Sequence, residues 1–113
     1  MRFEDLDVWK RAARLSTNIY QEMESCQNYG FKDQITRSAL SVASNIAEGY
    51  ERGSYRDCIK FLNYAKGSAG EVRTQAYIGV AAGFVGKETG DEWIRESEEL
   101  SRMLYSLIKS FSA

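Results

Sequence analysis

Residues 55–84 read YRDCIKFLNYAKGSAGEVRTQAYIGVAAGF. Within this stretch Cys58, Leu62, Ala65, Ala69, Val72, Ala76 and Val80 recur every three or four positions. That is the period of one face of an α-helix, whereas a strand would alternate every second residue. The segment also carries Gly67, Gly70, Gly79 and Gly83. Each glycine in a helix interior costs about 1 kcal/mol relative to alanine. Close approach of a neighbouring helix is the simplest compensation, and a kink around Gly67–Gly70 is the alternative.

Working outward, Ser54 with Asp57 resembles a capping box, and Gly49 and Gly53 bracket the turn before it. Upstream of that turn, Ile35, Ala39, Val42, Ile46 and Tyr50 form a second apolar line, which predicts a helix over 31–50. Cys26-Gln27-Asn28-Tyr29-Gly30 forms a break before it. A first helix over 5–25 follows from Leu6, Trp9, Ala13, Tyr20 and Met23, with Ala12, Leu15 and Ile19 widening the stripe. Downstream, Thr89 and Glu92 make a capping box for a fourth helix over 89–111, with Trp93, Leu100, Leu104, Leu107 and Phe111 inward. Short connections between long helices force antiparallel neighbours. The expected fold is all-α, an antiparallel up-down-up-down four-helix bundle that occupies residues 1–113 as one domain.

Composition agrees. The 113 residues contain no proline, which long uninterrupted helices exclude and loop-rich folds use. No apolar run reaches membrane-spanning length, and Met1-Arg2-Phe3-Glu4-Asp5 lacks the apolar core of a signal peptide, so no membrane association and a cytoplasmic location are expected. Cys26 and Cys58 fall at opposite ends of the bundle and are read as free thiols.

The absence of histidine removes the Glu-x-x-His ligand pairs of di-iron bundles, the usual zinc sites, and Ser-His or Cys-His nucleophile pairs. Gly67-Ser68-Ala69-Gly70 lacks the following Lys-Ser/Thr of a phosphate loop. No catalytic residue, metal site or cofactor is expected.

Two polar features remain. On the second helix Gln34, Arg37, Ser41, Ser44 and Glu48 step by three and four beside Asn45, and Ser68, Glu71 and Gln75 do the same on the third. They read either as a ligand-facing groove, with Glu48 and Glu71 around an interior pocket, or as a network fixing helix or subunit register. Arg52, Arg56 and Lys60 share one face and read either as a phosphate-binding patch or as a solvated face offset by Glu51 and Asp57. Lys10, Arg11 and Arg14 form a smaller basic set partly balanced by Asp7. With 15 basic against 16 acidic residues, nucleic-acid affinity would have to come from such a local patch, with Arg37 joining Arg52, Arg56 and Lys60. Fourteen aromatic residues (seven Tyr, five Phe and two Trp) exceed what one small core needs, which points to self-association.

The opening Phe3-Glu4-Asp5-Leu6-Asp7-Val8-Trp9 resembles that of the four-helix-bundle proteins encoded by intervening sequences in large-subunit ribosomal RNA genes. Ser44-Asn45-Ile46-Ala47-Glu48-Gly49-Tyr50-Glu51-Arg52 is similar to that family's central signature, and Phe61-Leu62 and Gly67-Ser68-Ala69-Gly70-Glu71 continue the match in order. The resemblance implies a ring-like homopentamer of bundles without established catalytic residues. It also implies kinship with the accessory proteins of diversity-generating retroelements, basic pentamers that bind nucleic acid and a reverse transcriptase; the net charge here is −1. RNA or DNA and further copies of the chain are the partners so implied. The expected function is a non-enzymatic oligomeric scaffold or adaptor associated with RNA or a ribonucleoprotein. A direct nucleic-acid-binding module and a small-molecule-binding bundle are the alternatives.

Overall fold

The computed structural model describes residues 1–112. A short 3-10 turn, Phe3–Asp5, leads into α1 (Asp7–Glu22), α2 (Tyr29–Glu51), α3 (Tyr55–Ala81) and α4 (Lys87–Ser112). No strand occurs among the described residues. At about 1.5 Å rise per residue α3 alone spans about 40 Å, and it accounts for the long dimension of a rod measuring 43 × 20 × 20 Å. Consecutive helices pack antiparallel. The α2–α3 and α3–α4 contacts are extensive, α1 leans mainly on α2, and the α1–α4 seam is slight.

Local chemistry sets the ends. Asn28 caps α2, its side-chain oxygen accepting from Phe31 N–H at 3.0 Å. The helix therefore starts at Tyr29 and runs through Gly30, which belongs to the helix and not to the break. The Ser54 hydroxyl accepts from Asp57 N–H at 3.1 Å, as the capping pattern implied. α3 stops at Ala81, short of 84, because Gly83 takes φ +82°. Gly83 N–H then bonds to the Val80 carbonyl and Phe84 N–H to the Gly79 carbonyl, a Schellman closure. Phe84 folds back so that its ring centre lies 5.2 Å from that of Phe31.

The Thr89–Glu92 capping box does not form. α4 begins two residues earlier, at Lys87, and the Thr89 hydroxyl donates instead to a Glu22 carboxylate oxygen at 3.3 Å. α1 is shorter than 5–25. Phe3–Asp5 forms the separate turn, with Phe3 edge-on to Trp9 at 5.2 Å, and Met23 closes the helix after Glu22.

The core runs along the rod through Val8, Ala12, Leu15, Ile19 and Met23 of the α1 segment and Ile35, Ala39, Val42 and Ile46 of α2. Cys58, Leu62, Ala65, Ala69, Val72 and Ala76 of α3 and Trp93, Leu100 and Leu104 of α4 complete it. On α1 the order of the two stripes is reversed. Ala12, Leu15 and Ile19 are buried, Trp9 and Ala13 are half-buried, and Tyr20 is exposed. Both cysteines are free thiols, and burial pushes the Cys58 thiol pKa up.

The glycines divide into groups. A Cβ at Gly79 would meet the Phe31 ring at 2.5 Å and Val85 at 3.0 Å, and one at Gly90 would collide with Val80. Gly49 lies against Phe61 and the Cys58 backbone. Close approach therefore explains these three. It does not explain Gly67 and Gly70, where a Cβ would meet nothing within 4 Å.

Arg11 carries the ion pairs that cross the α1–α4 seam among the described residues. Arg11 donates to both oxygens of Glu96, at 2.9 and 2.6 Å, and to Met103 Sδ at 3.5 Å, with Glu99 3.9 Å away. The hydrogen bonds to Glu96 raise the Arg11 pKa further above its ordinary value. Arg11 thus answers to Glu96 across the bundle more than to Asp7 on its own helix. With the two side chains 32% and 27% exposed, Arg11→Met should cost about 1–2 kcal/mol after allowance for solvent screening. The Arg11→Met/Glu96→Met double variant should recover part of that loss, because no charge is then left half-buried and unpaired. Urea titrations of the three variants would expose additivity, the result that rules this coupling out.

Candidate functional site

The polar lines on α2 and α3 meet at one place. The Asn45 side-chain amide donates to the Ser41 carbonyl and to Ser41 Oγ, both at 2.9 Å, and Ser41 Oγ lies 2.9 Å from Ser68 Oγ. Because Ser41 Oγ already accepts from Asn45, its own proton is available to Ser68. The chain of bonds runs from α2 to buried Ser68 on α3 and links the two helices at that level.

Gly49 lies farther along the same contact, where its missing side chain lets the Cys58 carbonyl and the Phe61 Cβ come within 3.2 and 3.1 Å of a Cβ position. Gln34, Glu48 and Glu71 stay outside this network, on exposed surface. An interior pocket walled by Glu48 and Glu71 is therefore not formed. Arg37 and Glu48 find partners elsewhere: Arg37 donates to both oxygens of Asp33 at 2.9 and 3.0 Å, and Glu48 pairs with Arg52 at 3.6 Å.

Of the basic residues, Arg52 and Lys60 converge on one aromatic ring. The Arg52 guanidinium carbon stands 5.0 Å and Lys60 Nζ 5.6 Å from the Phe61 ring centre. Tyr64 meets the same ring edge-on at 5.5 Å. Each cation sits within the range in which a ring's negative face attracts it. Arg56 is exposed on the first turn of α3. Arg37 lies fifteen residues before Arg52, the residue that caps the end of α2, about 22 Å along the axis, and does not join them. Phe61 as the pivot of this cluster was missed in the charge pattern. The available signal was an aromatic residue adjacent to Lys60.

Apolar surface is exposed between α1 and α2. Phe3, Trp9, Ala13, Tyr20, Leu40 and Ala47 line a shallow groove there, with Leu40 47% and Tyr20 45% exposed. Tyr64, Tyr77 and Ile78 are exposed on α3. Among the described residues no three His, Cys, Asp or Glu side chains gather where they could hold a metal ion. No helix among them is long and apolar enough to cross a membrane.

Comparison with known proteins adds a family and a fold. No curated protein matches the sequence. A crystal structure of a protein of unknown function from the S23 ribosomal protein family of Bacteroides thetaiotaomicron superposes with a TM-score of 0.84 at 24% identity. The match covers 90% of this chain and 98% of that one, and it establishes the likeness of the folds. The family model described as 23S rRNA-intervening sequence protein matches residues 4–106, the stretch that includes all the motifs from Phe3-Glu4-Asp5 onward except Phe3 itself. The chain belongs to the family of 23S rRNA-intervening sequence proteins.

Proposed function

We propose that the chain is a non-enzymatic building block that assembles with copies of itself into a cytoplasmic scaffold or adaptor for an RNA or ribonucleoprotein partner. The observation that carries this reading is the groove between α1 and α2. Large apolar side chains such as Leu40 and Tyr20 lie side by side on a surface that the bundle's own packing leaves uncovered. Contiguous apolar surface of that kind is costly in water and marks an association face. A second copy is the economical occupant, since a closed ring buries the same patch in every subunit. The family's name supplies the link to ribosomal RNA.

Native mass determination is the test. Five copies of the 12.8 kDa chain would weigh about 64 kDa. Leu40→Glu should shift the population to monomer while leaving helicity unchanged. A wild-type chain that is monomeric at micromolar concentration would remove the scaffold reading.

A second reading is favoured by the Arg52–Phe61–Lys60 cluster. There a basic and aromatic surface, with Arg56 beside it, has the composition of a nucleic-acid contact. Charge reversal at Arg56 and Lys60 should then weaken binding to every RNA or DNA sequence tried.

A further inference from the structure

A different groove, between α3 and α4, is built from residues that the charge pattern did not single out. Lys66 and Arg73 line it from α3 with Gly70 between them, and Glu98, Ser101, Arg102, Tyr105 and Ser106 line it from α4. Lys66 and Arg73 are half-buried, and neither makes an ion pair among the described residues. Seven residues apart on one helix, they stand about 10 Å apart along the axis. Arg102 lines the groove from α4 and is already engaged with Glu99 at 2.9 Å and Glu98 at 3.9 Å. Tyr105 is 53% exposed, with Lys109 Nζ 5.5 Å from its ring centre.

Gly70 forms the floor and has no neighbour within 4 Å of a Cβ position. Internal packing therefore gives no reason for a glycine that weakens the middle of α3, whereas a chain lying in the groove does. Two free cations, a cation beside an exposed aromatic ring, and an open floor are the parts of a backbone-tracking groove with a stacking platform.

We propose that this groove binds a segment of single-stranded nucleic acid, with phosphates at Lys66 and Arg73 and a base stacked on Tyr105. A local excess of positive charge answers the chain's net charge of −1: Lys66, Arg73 and Arg102 line the groove against one lining carboxylate, Glu98, which Arg102 already pairs. The proposal rests on the adaptor reading and locates the partner on a face distinct from both the α1–α2 groove and the Phe61 cluster.

Fluorescence anisotropy of a labelled twenty-nucleotide oligo-U against the full chain, in low salt, is the experiment. Binding should weaken with salt at a logarithmic slope of about −1.4 for two phosphate contacts. Lys66→Glu/Arg73→Glu should lower affinity at least tenfold. Tyr105→Ala should also lower it, and Tyr105→Phe should restore it. Gly70→Leu is the sharpest variant, because it improves helix propensity yet fills the floor, so it should lose affinity while unfolding no more easily.

Oligo-dT binding as well as oligo-U marks the contact as one to the phosphodiester strand, and binding of oligo-U alone marks it as specific for ribose; both support the groove. Unchanged affinity in Lys66→Glu/Arg73→Glu would overturn the assignment. So would loss confined to Arg56→Glu/Lys60→Glu, or displacement of the oligonucleotide by polyglutamate with no effect of Tyr105→Ala. Native mass on the same samples separates the two ideas. Monomeric wild type that still binds in the groove defeats only the scaffold, and a Gly70→Leu variant of altered mass reassigns the groove to a subunit contact and overturns the proposal.

Discussion

Leu62→Ala lowers the unfolding free energy by about 2–5 kcal/mol, a large share of what a domain of this size has. Leu62 is fully buried in the first third of α3, within a core whose other α3 positions are Cys58, Val72 and the small residues Ala65, Ala69 and Ala76. Those alanines bring the helices close but supply little apolar volume, so the few large side chains carry a disproportionate part of the burial. Removing one leaves a cavity that rigid helices held at fixed register cannot collapse around. Leu62→Met conserves volume and should cost under about 1.5 kcal/mol. Urea denaturation followed by helical circular dichroism measures both, and equal losses in the two variants would show that packing volume is not what Leu62 supplies.

The glycines provide the second expectation, and its sign depends on position. Gly49→Ala should destabilise by about 1–3 kcal/mol despite alanine's better helix propensity. The new methyl group would sit 3.2 Å from the Cys58 carbonyl oxygen and 3.1 Å from Phe61 Cβ, both attached to or part of a helix backbone that cannot swing aside. Gly67→Ala should stabilise by about 0.5–1 kcal/mol, because α3 is regular there and the added Cβ meets nothing. The same titrations settle it, and two shifts of the same sign would contradict the contact geometry.

The parts of the fold that were legible in the sequence are those decided within one turn of chain. The Ser54 hydroxyl reaches Asp57 N–H because nothing competes for either group. Thr89 offered the same local pattern, but Glu22 on another helix takes its hydroxyl, and the Gly83 closure lets α4 start earlier. The two stripes on α1 differ by only one residue, about 100° around the helix. Periodicity identifies a helix there, while the position of α2 decides that Ile19 faces inward and Tyr20 outward.

Site residues follow the same division. Arg52 and Lys60 were legible as a basic face, although their shared ring, Phe61, was not part of a charge pattern. Arg11 and Glu96 are 85 positions apart, and no local spacing pairs them. Lys66 and Arg73 gain significance only when α4 places Tyr105 and Arg102 opposite them.

The slight α1–α4 seam has a consequence for how this rod comes apart. α2, α3 and α4 form a continuous layer of broad contacts, whereas α1 is held on one side by α2 and on the other by little beyond the Arg11 clamp. The cheapest excursion from the native state is therefore the lifting of α1 as a unit, hinged at Met23–Asn28. It would leave three helices standing and bare Leu15 and Ile19 to any neighbour able to supply a replacement strut.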